Sequence, residues 1–439
     1  MPIRRYGLCG LSNRGVGAFA LPLLGSPDAD GTQATEDFSD VADLVGIVEP
    51  DATRVEEFNR TCLPSGHPPI PRFDDLAAML AATSPDAVIV ASPDHTHAEL
   101  IIGALDAGID VIAEKPMVTT TADAEAVLAA QARSSATLRV THNFRYLPRH
   151  VQLKELLRSG VIGRPVQVLL EYHVDTSHGA SYFMRWNRER ALSGGLSLHK
   201  STHHLDLLAW LLDDEPVRVG SVGGRWFYGP DGPYRPRGED GRPLSGDAAQ
   251  QVDPYWQDMV SRKAILTGGG RRRGLRDLPY THQYPAGSDW SVFDEEIDIE
   301  DTLTSVIGYA SGAAASYLIN FSSPWEGSRI AINGTHGMIE SLDGHVAGVP
   351  LPGSGTLTVR PLFGEPREIP ADTGDGGHGG ADPSMRIDLF RGVTERSREL
   401  GLVADAREGA LAVATGEALW RSAETGEMIT IELGADRRP

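Results

Sequence analysis

Lys115 closes the apolar run Asp110-Val111-Ile112-Ala113 within Glu114-Lys115-Pro116, which sets one ammonium just past a buried strand. In that position an ammonium can hydrogen-bond a reacting oxygen and stabilise a developing alkoxide. The first strand-like run leads into Gly10-Leu11-Ser12-Asn13-Arg14-Gly15. In a turn of this kind the glycines permit a tight bend and close approach of a pyrophosphate, which then meets the free N–H groups of a helix start. Here Ser12 holds the middle glycine position, so Gly10, Ser12, Asn13, Arg14 and Gly15 are the cofactor-binding candidates on this turn. Val45-Gly46-Ile47-Val48-Glu49 ends the next strand on a carboxylate. Glu49 there suits the adenosine ribose hydroxyls and disfavours a 2'-phosphate, hence NAD over NADP; Arg54 nearby would soften that choice, and a solvated strand-end glutamate is the plain alternative. Ser92, Pro93 and His97, in Ala91-Ser92-Pro93-Asp94-His95-Thr96-His97, end a third strand, with Pro93 shaping a turn against the cofactor.

Oxidising a secondary alcohol also needs a base for the hydroxyl proton, and an imidazole with a pKa of roughly 6.5 suits that task. His199, His203 and Asp206 lie at i, i+4 and i+7, which on one helix places all three on one face. That spacing also suits a divalent ion, but the histidines already have an organic task, and no metal is expected. Arg145, Tyr172, His173, Tyr182, Arg185 and His204 are candidate polyol contacts, because planar polar groups and aromatic faces hold sugars. For His199 and His204, capping or packing is the alternative.

The elements that must position these residues follow from periodicity. Strand-like runs at Tyr6–Leu11, Val45–Val48, Ala87–Ala91, Asp110–Ala113 and Leu138–Thr141 alternate with helical patterns at Arg54–Arg60, Leu76–Ala81, His97–Ala107 and Thr121–Ser134. That alternation predicts an α/β Rossmann domain with a doubly wound parallel sheet, whose ligand lies beyond the strand carboxyl ends. After a helix at His150–Ser159 come longer alternating strands at Val166–Val174, Val217–Trp226, Ile299–Tyr309 and Ala313–Ser322. These predict an α+β C-terminal domain with a mixed or antiparallel sheet. The boundaries are read as 1–147 for nucleotide binding and 148–439 for substrate binding and oligomerisation. A polar insertion is read over Gly25–Asp40, and a long loop at about 228–294, including Gly268-Gly269-Gly270-Arg271-Arg272-Arg273, is either a lid or disordered. A glycine cluster at Gly374–Gly380 precedes a helix-like Asp382–Arg396, and Arg407–Glu424 reads as amphipathic with Ala410, Leu411, Val413, Ala414, Leu419 and Trp420 inside.

At 439 residues the chain exceeds a single core and implies two domains. Sixty acidic against forty basic residues give a net charge of -20, which argues against nucleic acid and anionic membranes as partners. Two cysteines allow no disulfide framework, and Cys9 reads as a small buried thiol. The N-terminus lacks a secretory pattern and no apolar run would span a membrane, so a cytoplasmic location is expected.

The motifs together resemble the glucose-fructose oxidoreductase and inositol dehydrogenase family, Gfo/Idh/MocA. The resemblance rests on the glycine turn, Ser92–His97, Ala104-Leu105-Asp106-Ala107-Gly108 leading to Glu114-Lys115-Pro116, and Asn143-Phe144-Arg145-Tyr146. It continues with Ser193-Gly194-Gly195-Leu196, His203 with Asp206, and Ile332-Asn333-Gly334-Thr335-His336-Gly337. It implies a Rossmann domain, a second domain whose large open sheet commonly mediates oligomers (a homodimer or homotetramer here), and NAD-dependent chemistry on a sugar or cyclitol. The family's usual Asp-x-Gly-x-His places catalytic roles on Lys115 and His203, whereas here His199 stands at the aspartate and Ser201 at the glycine. A subset carrying His-Lys-x-Thr-His-His-x-Asp is matched by His199-Lys200-Ser201-Thr202-His203-His204-Leu205-Asp206, and His178–Trp186 resembles the same subset. The expected function is therefore an NAD-dependent sugar or cyclitol dehydrogenase with His199 as modifier of the base. A redox-neutral lyase, hydrolase or epimerase using tightly held NAD, and a non-catalytic nucleotide-binding sensor, are the competing classes.

Overall fold

The computed structural model describes residues 3–26, 36–267, 278, 290–375 and 378–434. The chain forms two compact units. The first takes Met1–Leu147 and Gly374–Ala410, with Leu278 from the stretch between; the second takes Pro148–Gly270, Asp289–Thr373 and Leu411–Pro439.

Unit 1 opens with β1 (Arg4–Cys9), a π-helical turn (Gly15–Ala20) and α1 (Leu21–Leu24). There follow β2 (Ala42–Val48), α2 (Ala52–Thr61), β3 (Arg72–Phe73), α3 (Leu76–Thr83), β4 (Ala87–Val90), α4 (His97–Asp106), β5 (Asp110–Ala113), α5 (Thr121–Arg133) and β6 (Leu138–Val140). The strands pair in the order β6-β5-β4-β1-β2-β3, all parallel. Ala-Val-Ile-Val of β4 is buried throughout, as a central strand covered on both faces requires. Capping side chains fix where helices start: Asp51 accepts the Arg54 N–H and Thr120 Oγ accepts the Asp123 N–H, each worth about 1 kcal/mol. Strand order reverses at β1, so the loops leaving β1 and β4 flank a switch-point crevice.

Unit 2 contains α6 (Pro148–Arg158), β7 (Pro165–Asp175), α7 (Thr176–Phe183), α8 (Arg190–Ser193), α9 (Leu196–His199), α10 (Thr202–Leu212), β8 (Pro216–Gly224), α11 (Gly246–Gln250) and α12 (Pro254–Thr267). It continues with β9 (Thr302–Tyr309), β10 (Ala314–Ser323), β11 (Glu326–Gly334), β12 (Gly337–Val346), β13 (Val349–Pro350), β14 (Thr356–Pro361) and β15 (Arg367–Pro370). The sheet order is β15-β14-β12-β11-β7-β10-β9-β8, with β13 beside β12. β7 and β10 run parallel and the remaining pairs antiparallel, so the sheet is mixed. Ala315, Tyr317, Ile319 and Phe321 alternate inward along β10, while Val222 and Val306 are exposed on β8 and β9.

The chain then returns to unit 1 through α13 (Ala381–Arg386), a π-helical turn (Ile387–Arg391) and α14 (Glu395–Leu400), and β16 (Ala404–Asp405) pairs antiparallel with β6. α15 (Ala406–Thr425) begins in unit 1 and continues in unit 2, where β17 (Ile429–Thr430) pairs with β8. Residues 374–410 thus interrupt what the sequence suggested as one domain from 148 onward. The single helix expected over Asp382–Arg396 breaks at Gly392, whose φ of 106° ends the π-helical turn. Trp420, expected inside, is half-buried, with the Arg190 guanidinium 4.6 Å above its ring.

Of the long loop read as a lid or partly disordered, the described residues 228–267 carry α11 and α12 and pack: Tyr228 stacks on Phe183 at 3.9 Å and Tyr255 lies 5.1 Å from Tyr228. Gly268–Arg273 and Gly376-Gly377 lie outside the described residues, as does 27–35 of the insertion. At its end Phe38 is buried against Phe390. Cys9 and Cys62 are buried and not joined in a disulfide, and burial pushes the Cys9 thiol up to about 12. Among the described residues no helix is long and apolar enough to cross a membrane.

Candidate active site

Gly10 leaves β1 at φ 88°, and a Cβ there would lie 2.4 Å from Ser92 Cα. At Gly15 a Cβ would lie 2.5 Å from Gly10 O. Both ends of the turn are therefore glycine for want of space, and helix begins at Asn13, within the turn. Ser12 turns its hydroxyl inward, donating to Ala91 O at 2.8 Å and accepting the Gly15 N–H at 2.9 Å. The serine at the middle glycine position thereby ties the turn to the end of β4. Glu49 is buried at the end of β2, where Oε2 accepts the Leu11 N–H at 2.8 Å and Oε1 the Asp51 N–H at 3.1 Å. Each carboxylate oxygen keeps a further lone pair for a ribose hydroxyl. Arg54 is 1% exposed and donates to Leu11 O, Leu278 O and Asn13 Oδ1, so its guanidinium is engaged with neutral oxygens. A turn without room for side chains, a helix start and a carboxylate at the next strand end together fit a dinucleotide.

Glu114-Lys115-Pro116 leaves β5 in the same unit, with a cis bond between Lys115 and Pro116. Glu114 Oε1 accepts Arg14 Nε–H at 2.8 Å, and Oε2 accepts the Lys115 N–H at 3.2 Å. The other two Arg14 nitrogens donate to Asp382 on α13 at 2.6 and 3.0 Å. Asp382 also receives Asn143 Nδ2 at 2.9 Å and His378 Nδ1 at 2.8 Å. Burial pushes its pKa up, but the charge of Arg14 and the hydrogen bonds from His378 and Arg14 outweigh it and hold the carboxyl well below the usual range. His97 is 1% exposed, and its ring nitrogens face Pro116 O at 3.0 Å and Ser92 O at 2.9 Å. It fastens the turn after β4 to the turn after β5. Arg145, expected on a polyol, is instead 1% exposed and donates to Gly401 O and Glu408 Oε1, because the returning segment covers it.

In unit 2 the helix expected through His199, His203 and Asp206 is broken. α9 ends at His199, and the Ser201 N–H and hydroxyl both turn back to Leu196 O before α10 begins at Thr202. His199 is therefore on a different helix from His203 and Asp206, both of which are buried on α10. His199 Nε2 pairs with Asn187 Nδ2 at 3.1 Å, and its ring meets Tyr182 and Trp186 edge-on at 5.8 and 5.7 Å. Tyr182 stacks on His178, and its hydroxyl lies 3.3 Å from His178 Nε2, while His178 Nδ1 pairs with Glu326 Oε1 at 2.8 Å.

Lys200 is buried with its ammonium 5.1 Å from the Tyr172 ring. Burial pushes its pKa down, but Tyr172, Tyr182 and Glu326 outweigh that and raise it. His204 is taken into the core: Nδ1 pairs with the Tyr317 hydroxyl at 2.8 Å, which donates onward to Ser201 Oγ. His173 follows Tyr172 on β7 and so faces the other side of the sheet, against Trp325 at 4.4 Å. Arg185 is exposed. Among the described residues, no group of three or more His, Cys, Asp and Glu side chains could hold a metal ion.

Of the residues singled out from sequence, Tyr182 and His199 share one aromatic and polar cluster, and Tyr172, packed on the His204 ring at 4.1 Å, is tied to Tyr182 through the Lys200 charge; His173 faces the other side of the sheet, and Arg145 belongs to unit 1. Lys200, Asn187, Glu326, His378 and Asp382 were not among the candidates. The i, i+4 spacing of His178 with Tyr182 could have pointed to the first turn of that cluster, and His378-Gly379-Gly380-Ala381-Asp382 to the second site. Glu326 carries no local signal, since only the β7–β11 register brings it to α7.

Residues 5–142 match the model of the oxidoreductase family's NAD-binding Rossmann fold, and residues 154–433 that of its C-terminal alpha/beta domain; both are Gfo/Idh/MocA models. The chain is 40% identical over 419 residues to YteT of Bacillus subtilis (strain 168), covering 94% of each. Inositol 2-dehydrogenase 1 of Saccharopolyspora erythraea is 35% identical over 135 residues, 30% of this chain and 37% of that one. The fold matches levoglucosan dehydrogenase solved with NADH and levoglucosan, at a TM-score of 0.63, 18% identity, and coverage of 98% and 99%. It also matches aldose-aldose oxidoreductase from Caulobacter crescentus, complexed with glycerol, at a TM-score of 0.60, 18% identity and the same coverage.

Proposed function

The chain belongs to the Gfo/Idh/MocA oxidoreductase family, and from that premise we propose that it oxidises a secondary hydroxyl of a sugar or cyclitol with NAD. The observation that carries this reading is the Glu114 clamp on Arg14, which anchors Lys115 beside the glycine turn within one unit. Gly10, Ser12, Asn13, Arg14 and Gly15 would hold the pyrophosphate, and Glu49 the ribose. The Glu49 carboxylate disfavours a 2'-phosphate, and the neighbouring cations are already engaged, Arg54 with three oxygens and Arg72 with Glu49 O and Asp74, which supports NAD over NADP. NAD, when bound, supplies the hydride acceptor.

Lys115 would donate a hydrogen bond to the reacting oxygen and stabilise its developing negative charge. His203 would take the hydroxyl proton. In unit 2, Tyr172, Tyr182, Trp186 and His199 offer the aromatic faces and polar edges on which a polyol can rest. Sugar relatives and neighbours such as inositol 2-dehydrogenase and levoglucosan dehydrogenase support the substrate class.

The test is incubation with NAD and a panel of sugars, cyclitols and glycosides, following NADH absorbance and products together. Substrate-dependent NADH is expected, and Lys115→Ala should lower kcat/KM by about a hundredfold or more. Product without NADH would replace this reading with a redox-neutral one, and an unimpaired Lys115→Ala would remove the role given to the lysine.

A further inference from the structure

Each turnover of the proposed oxidation releases one proton, and this inference rests on that reading. His203 is 4% exposed, so a proton it accepts must leave through other groups. In unit 2, three side chains form a hydrogen-bonded chain of phenol, imidazole and carboxylate. Tyr182 and His178 are one turn apart on α7, with the Tyr182 hydroxyl 3.3 Å from His178 Nε2. His178 Nδ1 lies 2.8 Å from Glu326 Oε1, at the start of β11. The His178 side chain is 38% exposed and that of Glu326 19%. At its other end, Tyr182 lies edge-on to His199 and Phe321, within the aromatic cluster.

We propose that Tyr182, His178 and Glu326 form a proton relay that clears the proton of substrate oxidation from the site to solvent. The Nδ1–H donates to the Glu326 carboxylate, which leaves Nε2 as the acceptor for the phenol. A proton reaching Tyr182 Oη from the site, from protonated His203 by way of a substrate hydroxyl or water, is matched by transfer of the phenolic proton to His178 Nε2. The imidazolium, held by Glu326 as a carboxylate holds the histidine of a catalytic triad, then gives a proton to water; the hydride of the same oxidation would go to bound NAD. Tyr182 is the group that touches the substrate site, while His178 and Glu326 act through it.

The charged and titratable groups around His178 fit this role. Glu326 faces it from β11, and Lys200 brings its charge to bear on Tyr182 and Glu326. Asp175 accepts the His178 backbone N–H at the start of α7, and Asp258 on α12 accepts the Thr176 hydroxyl two residues before His178. Burial pushes the Glu326 carboxyl up, but hydrogen bonding and charge from His178, with the charge of Lys200, outweigh it and lower its pKa, which favours the ionised partner a relay needs.

The experiment compares wild type, His178→Gln and Glu326→Gln with NAD and whichever of myo-inositol, levoglucosan or D-glucose reduces it. First-turnover and steady-state rates are measured in dilute buffer and with added imidazole. A relay predicts that His178→Gln loses about tenfold to a hundredfold in steady-state kcat in dilute buffer. KM and the first-turnover rate should hold, and free imidazole should restore kcat. Glu326→Gln should follow the same pattern more weakly.

Unchanged steady-state turnover in His178→Gln would overturn the relay while leaving the dehydrogenase reading intact. So would a loss equal in both phases and deaf to imidazole, which is the signature of a structural role. Silence of the wild type toward every substrate would instead overturn the dehydrogenase reading. For that outcome, the imidazole N–H proton resonance of His178 in the resting protein decides on the chain itself: Glu326→Gln should abolish it and Tyr182→Phe should shift it. A resonance unmoved by Tyr182→Phe overturns the relay.

Discussion

A single carboxylate, Asp382, gathers three side chains that lie far apart in sequence: Arg14 from the glycine turn, Asn143 after β6 and His378 from the returning segment. Its folded pKa lies below the ordinary value, because Arg14 and the hydrogen bonds from His378 and Arg14 outweigh burial. The depressed value fixes the sign of its pH dependence. The stabilisation is fully present above the unfolded carboxyl value of about 3.9 and is lost as pH falls from there through the folded value. Asp382→Asn should therefore cost about 2 kcal/mol at neutral pH, since it takes a buried carboxylate's charge from the half-buried Arg14 guanidinium. Urea unfolding of both proteins should show that gap at pH 7 and a narrower one well below pH 4; coincident curves at pH 7 would refute the account. Sequence could present Arg14 and the glycine cluster near His378 separately. It could not join them, because an ion pair spanning this much chain is set by tertiary packing and leaves no local periodicity.

At the scale of elements, what sequence reads best is regular structure with a local cause. The buried strands and the helices capped by Asp51 and Thr120 stand where apolar runs and N-cap residues put them. What it reads worst is an interruption caused by side-chain competition. The spacing of His199, His203 and Asp206 is that of one helix, yet the Ser201 hydroxyl and N–H both return to Leu196 O and divide α9 from α10. The turn from β1 into the first helix lies between these cases. Its glycines were legible, but the reason for Gly10 is tertiary, since Ser92 at the end of β4 occupies the space a Cβ would need. Gly10→Ala should accordingly cost about 2 kcal/mol or more, adding a left-handed backbone penalty to a clash with main chain rather than with a yielding side chain. It should also weaken NAD binding in a calorimetric titration, because relief of the clash displaces the turn. An alanine variant that binds NAD and melts like wild type would show that the turn is not held against β4.

For the whole molecule, the order of the chain and the order of its cores differ. Length and texture indicate two domains, but nothing in the composition of 374–410 says that it belongs with the first of them. The reason lies in buried polar groups at the end of the N-terminal segment. Arg145 is 1% exposed and spends its guanidinium on Gly401 O and Glu408, and the Tyr146 hydroxyl donates to Asp388 at 2.9 Å. Burial, with Asp388 beside it, raises the pKa of Tyr146, so the phenol stays a neutral donor. β16 adds a seventh strand alongside β6, covering an edge that would otherwise present unpaired backbone groups. A fragment ending at residue 147 would lose all of these partners at once, taking Gly401 O and Glu408 from the Arg145 guanidinium and Asp388 from the Tyr146 phenol and opening the edge of β6. Breaking one buried ion pair costs about 3 to 5 kcal/mol, a large part of the 5 to 15 kcal/mol that stabilises a typical domain. Residues 1–147 alone should be digested rapidly by a nonspecific protease, and joining them through a flexible linker to 374–410 should restore resistance. Equal resistance of the two fragments would mean that the N-terminal segment completes its own core and that the returning segment merely rests on it.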